Sequence, residues 1–181
     1  MGGYGSGRVW AMKARLIMMV ILVVWQTGLT AAGTRSVQEL AREAELVVRG
    51  EITKIRCSRQ NNGKIETTLS VKIMETWKGE VARQTIIVGD PTGILGEIRQ
   101  THAQHRPFRL GEECIWFLVK SGDEKWVPVS LWQGRFSIEK NADTGVESAG
   151  NISPRDRTNG DFDMTIQVPD LRRIVTVEAG Q

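Results

Sequence analysis

Apolar residues recur at alternate positions between Ile65 and Trp77, where Ile65, Leu69, Val71, Ile73 and Trp77 are interleaved with Thr68, Ser70, Lys72 and Thr76. That period of two predicts a long strand with one buried face. In the preceding stretch Leu46, Val48 and Ile52 stand at even positions and Ile55 and Cys57 at odd ones. The inward face of a first strand therefore changes parity near Thr53 and Lys54, which predicts a β-bulge or sharp coil there. Asn61-Asn62-Gly63 supplies a hairpin turn between the two strands. A hairpin alone is marginally stable, so later strands must cover it.

Further strands follow at Gln84 to Gly89, Glu113 to Lys120, Trp126 to Trp132 and Arg135 to Ile138. The segment 113–120 is apolar at both parities, Cys114, Trp116 and Leu118 against Ile115, Phe117 and Val119, and so belongs beneath structure on both faces. Pro128 lacks a donor and marks an edge or a bulge. Ser36-Val37-Gln38-Glu39 fits a capping box, and Val37, Leu40, Ala41 and Ala44 share one helical face, predicting a helix over 37–44. Pro169 with Leu171, Ile174 and Val175 predicts a short closing helix, which the β-branched run Val175-Thr176-Val177 opposes. Two irregular segments remain: Asp90 to Gly111, long enough to expect a functional loop, and the polar loop 141–163. The pattern as a whole predicts a small barrel, mainly β.

The N-terminus reads as an export signal. Lys13 and Arg15 precede ten apolar residues, Leu16 to Trp25, and the small residues Thr30, Ala31 and Ala32 follow. Cleavage is expected after Ala32, giving a signal peptide over 1–32 and a single domain over 33–181. Met12 is the better start, and residues 1–11 carry no pattern. An apolar core this short falls below the roughly 20 residues of a membrane span, so no stable membrane insertion is expected after cleavage. An uncleaved anchor over 16–32 is the alternative. The expected location is secreted or periplasmic.

Export changes the charge picture. Arg8, Lys13 and Arg15 lie in the leader, and without them the cations equal the 21 Asp and Glu in number. The pI of about 9.1 thus reflects the signal and gives no support to a nucleic-acid partner. Oxidation is permitted in that compartment, and Cys57 and Cys114 are the two cysteines of the chain. They form a candidate disulfide, worth about 4 kcal/mol in the chain-entropy model, or remain two buried thiols.

Candidate chemistry is sparse. His102 and His105 have a spacing at which two imidazoles approach one metal on a helix, with Asp90 or Glu97 as a further ligand, but no helical pattern and no third ligand at fixed spacing accompany them. Gly89-Asp90-Pro91-Thr92-Gly93-Ile94-Leu95-Gly96 lacks the lysine and the helix start of a phosphate loop and reads as turn glycines. Cys57 and Cys114 sit in apolar strands, which disfavour a thiolate. Nucleophile, base and orienter cannot be assembled, so the expectation is no enzyme, no metal and no cofactor. Trp77, Trp116, Trp126 and Trp132 are expected to pack rather than to stack bases or sugars.

Three runs carry a resemblance: Ala44-Glu45-Leu46-Val47-Val48-Arg49-Gly50-Glu51-Ile52, Glu75-Thr76-Trp77-Lys78-Gly79, and Gly111-Glu112-Glu113-Cys114-Ile115-Trp116-Phe117-Leu118. Over residues 36–138 the layout resembles the netrin-like module of the tissue inhibitors of metalloproteinases, and similar small exported bacterial proteins. The resemblance implies an OB-like five-stranded barrel in an exported protein; with the strands and helices read above, the expected fold is an OB-like five-stranded antiparallel barrel with a short N-terminal and a short C-terminal helix. It further implies a binding role toward a protein or peptide, an exported protease among the partners implied. Those inhibitors chelate a catalytic zinc through an N-terminal cysteine; the expected mature start here, Gly33-Thr34-Arg35, has none, so that mechanism does not transfer. The expected contact set is the 90–111 loop with the barrel rim: Thr92, Ile94, Leu95, His102, His105, Arg106 and Phe108. The alternatives are an exported metal-dependent hydrolase using His102 and His105, and an oligonucleotide- or sugar-binding OB-fold protein.

Overall fold

The computed structural model describes residues 35–101, 106–122, 124–151 and 164–180. The expected leader, the histidines His102 and His105, and the 152–163 stretch of the polar loop lie outside the described residues. Among the described residues no helix is long and apolar enough to cross a membrane.

The first helix, α1, spans Val37–Glu43. Ser36 caps it: its hydroxyl accepts from the Glu39 amide, and the Glu39 carboxylate accepts from the Ser36 amide at 2.7 Å. Such a box is worth about 1 kcal/mol, and it fixes where the buried face of Val37, Leu40 and Ala41 begins.

Two long strands follow, β1 (Leu46–Arg59) and β2 (Ile65–Lys78), paired antiparallel over most of their length. The register shifts between Ile52 and Lys54, at the predicted change of parity, and twice more before Gly50. These irregularities bend β1 enough to pair β2 on one edge and β6 (Glu113–Lys120) on the other. β2 pairs β3 (Thr85–Asp90), and β3 meets β7 (Lys125–Pro128), which pairs β6. The order β1-β2-β3-β7-β6 thus returns to β1 and closes a five-stranded barrel.

One pairing departs from the all-antiparallel expectation. β3 and β7 run parallel, through Ile87 with Lys125 and Val88 with Trp126. This is the order and the parallel seam of an OB-like barrel. The seam is short, and an ion pair straps it: Lys125 Nζ reaches Glu66 Oε1 at 2.6 Å, crossing Gly89 of β3, where a Cβ would lie 2.7 Å from that oxygen. Beyond the seam the predicted strand 126–132 stops early. Val129 donates to the Phe117 carbonyl at 2.8 Å, so by alternation the donorless nitrogen of Pro128 faces away from β6, past the end of the β3 pairing. Residues Leu131–Gly134 then form a 3-10 turn.

β6 is the hinge of the architecture. Cys114, Trp116 and Leu118 point into the barrel with Leu46, Val48, Ile52, Leu69, Val71 and Val88. Ile115 and Phe117 point outward into a second core with Val47, Phe136, Leu40, Leu171 and Val175. The two-sided apolarity of this strand is therefore the mark of a wall between two cores. Its free edge is divided: β7 takes residues 118–120 and β8 (Arg135–Lys140) takes 114–116. β9 (Glu147–Gly150) pairs β8, and β10 (Thr165–Gln167) pairs β9. β9 lies within the expected polar loop 141–163, where Ser148, Ala149 and Gly150 carry little apolar signal but have the β8 edge to pair with.

The closing helix α2 is Val168–Ala179, with Pro169 in its first turn. Its β-branched run is tolerated because Val175 is wholly buried in the outer core; packing outweighs a propensity cost of a few tenths of a kcal/mol per residue. Arg42 on α1 and Glu178 on α2 pair at 2.7 Å.

The candidate disulfide is not formed: Cys57 and Cys114 are both free. Cys114 sits opposite Gly50 in the β1–β6 ladder, while Cys57 lies seven residues further along β1, opposite Thr67. At about 3.3 Å per residue the separation is roughly 20 Å, against the 7 Å limit for a bridge. An oxidising compartment would permit a bridge, but the length of β1 forbids this pair.

Candidate functional site

The 90–111 segment, expected as an irregular loop, holds a small second sheet of β4 (Gly93–Leu95) and β5 (Ile98–Gln100). Leu95 pairs Ile98 across the turn Gly96-Glu97, and Gly96 takes the positive φ (61°) that this two-residue turn requires.

Two contacts fasten this hairpin to the β1–β2 ribbon. The Gln100 side chain behaves as a strand backbone: its Oε1 accepts from the Ile65 amide at 3.0 Å, and its Nε2 donates to the Ile65 carbonyl at 2.9 Å and the Pro91 carbonyl at 2.6 Å. Gly93 lies so close to the ribbon that a Cβ would meet Cys57 Sγ at 2.5 Å and Thr67 Oγ1 at 2.9 Å. Thr92 is buried; its carbonyl accepts from the Thr67 hydroxyl at 2.6 Å, and its own hydroxyl bonds the Asp90 carboxylate.

Beyond these anchors the hairpin is apolar and exposed. Ile94 is 60 % accessible, Ile98 48 % and Leu95 38 %. By strand alternation Leu95 and Ile98 share the face of Gly93 and Gln100, and Ile94 and Arg99 point the opposite way.

The return leg is held differently. Phe108 covers Trp116 with ring centroids 6.5 Å apart, and the Arg135 guanidinium lies 4.4 Å over the Phe108 ring. Arg135 donates to the Arg106 carbonyl at 2.9 Å and to Glu112 Oε2 at 2.7 Å, while the Ser137 hydroxyl donates to Glu112 Oε1 at 2.7 Å. Burial opposes ionisation of Glu112, but Arg135, the Ser137 hydroxyl and Arg106 together outweigh it and hold the carboxyl below its usual range. Arg135 Nε and Trp116 Nε1 are buried without an acceptor among the described residues; the guanidinium has the aromatic face of Phe108 instead.

The expected contact set therefore divides. Ile94 and Leu95 are presented to solvent; Thr92 is buried and Phe108 packs on Trp116, while half-exposed Arg106 is held through its carbonyl by Arg135, and His102 and His105 lie outside the described residues. Sequence reasoning missed Ile98, Arg99, Gln100 and the Glu112–Arg135 pair. The run Ile94-Leu95-Gly96-Glu97-Ile98 carried a hairpin signal, a Gly-led two-residue turn between apolar positions, whereas nothing local marks Gln100 as a backbone mimic.

Burial pushes the Cys114 thiol up to about 11, so it is protonated at neutral pH. Trp116 and Trp77 are buried in the two cores, and the Trp77 indole donates to Glu75 at 3.1 Å. Among the described residues no group of three His, Cys, Asp or Glu is placed to hold a metal ion.

Charge is distributed unevenly over this framework. Arg42 pairs Glu178, Arg49 lies against Glu113 and Glu147, and Arg83 pairs Glu124. Arg35, Arg106, Arg135, Arg172 and Arg173 likewise face carboxylates. The remaining described arginines, Arg56, Arg59, Arg99 and Arg109, are exposed, and none faces a carboxylate among the described residues. All four belong to the distal half of β1 or to the 90–111 segment packed against it. A cleft of about 300 Å³ lies elsewhere, between Arg83, Ile87, Lys120 and Trp126. No family model matches this chain, and no curated protein matches its sequence.

Proposed function

We propose that this chain is an exported, non-enzymatic binding module that engages a protein or peptide through the 90–111 segment and the adjoining barrel rim. One observation carries the reading: three aliphatic side chains, Ile94, Leu95 and Ile98, are held out to solvent on a hairpin that Gln100 and Gly93 fix to the barrel. Exposed aliphatic groups on an anchored element, Leu95 with Ile98 on one face and Ile94 on the other, are what a protein-binding surface offers. Export to the cell exterior or the periplasm is supported by the leader pattern over residues 1–32. The netrin-like layout of residues 36–138 supports the same class of role, with an exported protease among the partners it suggests, but not by zinc chelation, for which the terminal cysteine is lacking.

The test is the pair Ile94→Asp with Ile98→Asp. Chemical crosslinking in native extract should capture a partner with the wild-type protein and lose it with the double variant, while the melting temperature stays within about 2 °C. Undiminished capture by the folded variant would remove the hairpin from the interface, and so overturn the proposal.

A further inference from the structure

Among the described residues, the arginines that face no carboxylate single out one end of the barrel. Arg56, Arg59, Arg99 and Arg109 gather there with Lys54 and Lys64, all exposed. Of the local acids, Glu66 pairs Lys125 and Glu112 pairs Arg135, while Asp90 is buried beneath the Thr92 hydroxyl; the solvent-facing acids are Glu97 at the hairpin turn and the half-buried Glu51. The mature chain has no net charge to spare, so this end is a local excess of cations on a neutral molecule. At about 3.3 Å per residue, Lys54, Arg56 and Arg59 follow one another along β1 at intervals of roughly a Debye length (about 8 to 10 Å) or less, and such an excess is relieved by a polyanion.

We propose, resting on the binding-module reading above, that this end docks an acidic, extended segment of a partner protein. Carboxylates would lie on the ribbon cations, and apolar residues between them on Ile94, Leu95 and Ile98. Three features favour a polypeptide. The exposed apolar groups here are aliphatic, whereas single-stranded nucleic acids are held on aromatic faces, and Trp116 is wholly buried. Lys54 and Arg56 alternate with Ile55 and Arg59 along β1, so the cations occupy both faces of the ribbon; a chain can wrap both, and a flat lipid surface cannot. Among the described residues β4 and β5 pair only each other, which leaves a strand edge for an added strand.

The probe is a dye-labelled peptide alternating Glu with Leu or Val, titrated against the purified protein by fluorescence anisotropy. Binding is expected, weakening at least tenfold between about 0.05 and about 0.5 M NaCl. The Arg56→Glu, Arg99→Glu double variant should lose about tenfold in affinity or more, the milder Arg56→Gln, Arg99→Gln pair less, and Ile94→Asn should also lose affinity, all with unchanged circular dichroism. Equal affinity for the Lys-for-Glu peptide would overturn the inference, as would tighter binding to phosphatidylcholine–phosphatidylglycerol vesicles or to oligothymidylate. If crosslinking to a native partner survives the arginine reversals and fails in Ile94→Asn, the acidic-partner inference falls and the binding-module reading stands; survival in both overturns both.

Discussion

At Gly93 a single hydrogen atom decides whether the hairpin can sit on the ribbon. A methyl group there would contact Cys57 Sγ and Thr67 Oγ1 well inside van der Waals distance, and also Ile65 Cγ2 at 2.9 Å. Gly93→Ala should therefore cost about 1–3 kcal/mol in urea unfolding, the range for overpacking, and lift the hairpin from Cys57. The two cysteines report on this directly. In the native protein a thiol reagent should modify half-buried Cys57 and leave Cys114 untouched, because the latter is wholly buried and its thiol is held protonated. Both should react on unfolding without reductant; finding fewer than two thiols would contradict the free state described above. Gly93→Ala should speed the Cys57 reaction in the folded protein and leave Cys114 protected.

Among the elements, the β4–β5 hairpin takes its hydrogen-bonded docking at Ile65 and Pro91 from one side chain, Gln100. Gln100→Ala removes the acceptor for the Ile65 amide and the donor to two carbonyls. The two part-buried Ile65 groups left without a partner cost about 1–3 kcal/mol each unless water replaces it, whereas the Pro91 carbonyl is open to water. The loss should fall on the hairpin: amide exchange at 93–100 and proteolysis near Gly96 should rise several-fold, while β1, β2 and β6 stay protected. Equal acceleration in β6 would mean that the hairpin is part of the barrel's cooperative unit. The two helices show how far element-level reasoning reaches. α1 was readable from the Ser36–Glu39 box and its apolar spacing, both local. α2 had a local sequence that argued against itself, and it forms because Leu171 and Val175 complete the outer core. β9 was unreadable for the complementary reason, since its stability comes from the β8 edge and not from its own side chains.

For the whole molecule, the Glu112–Arg135 pair links the return leg of the segment to β8 and to the barrel mouth. Glu112 is held below its usual pKa, and Glu147 is too, chiefly through its hydrogen bonds from Arg49. A carboxylate whose pKa is lower folded than unfolded contributes stability that is fully present above the unfolded value, near 4.5, and is lost as pH falls through the folded one. Urea midpoints should therefore be flat from neutrality to about pH 5 and drop below it. Glu112→Gln should lose on the order of 3 kcal/mol at pH 7, because it strands a buried guanidinium, and should show a shallower acid decline than the wild type. An identical acid slope in the variant would mean that other carboxylates set it. The strap over Gly89 gives a second global test: Lys125→Ala should lower stability by about 1 kcal/mol and raise amide exchange at the β3–β7 seam.

What the sequence by itself determined were the features whose cause is local: the alternation that makes β1 and β2, the parity change that bends β1, the cap of α1, and the two-sided apolarity of β6. The closed barrel followed from these because a long bent ribbon with one greasy face has few ways to cover it. Tertiary structure alone decided the rest, since each item depends on residues distant in sequence. The parallel β3–β7 seam, the separation of Cys57 from Cys114, the inward turn of Thr92 and Phe108, and the Gln100 anchor are all set by which surface arrives opposite, and no window of the chain carries that information. The clustering of unpaired arginines is of the same kind, because whether a cation finds a carboxylate is fixed only when the chain has closed.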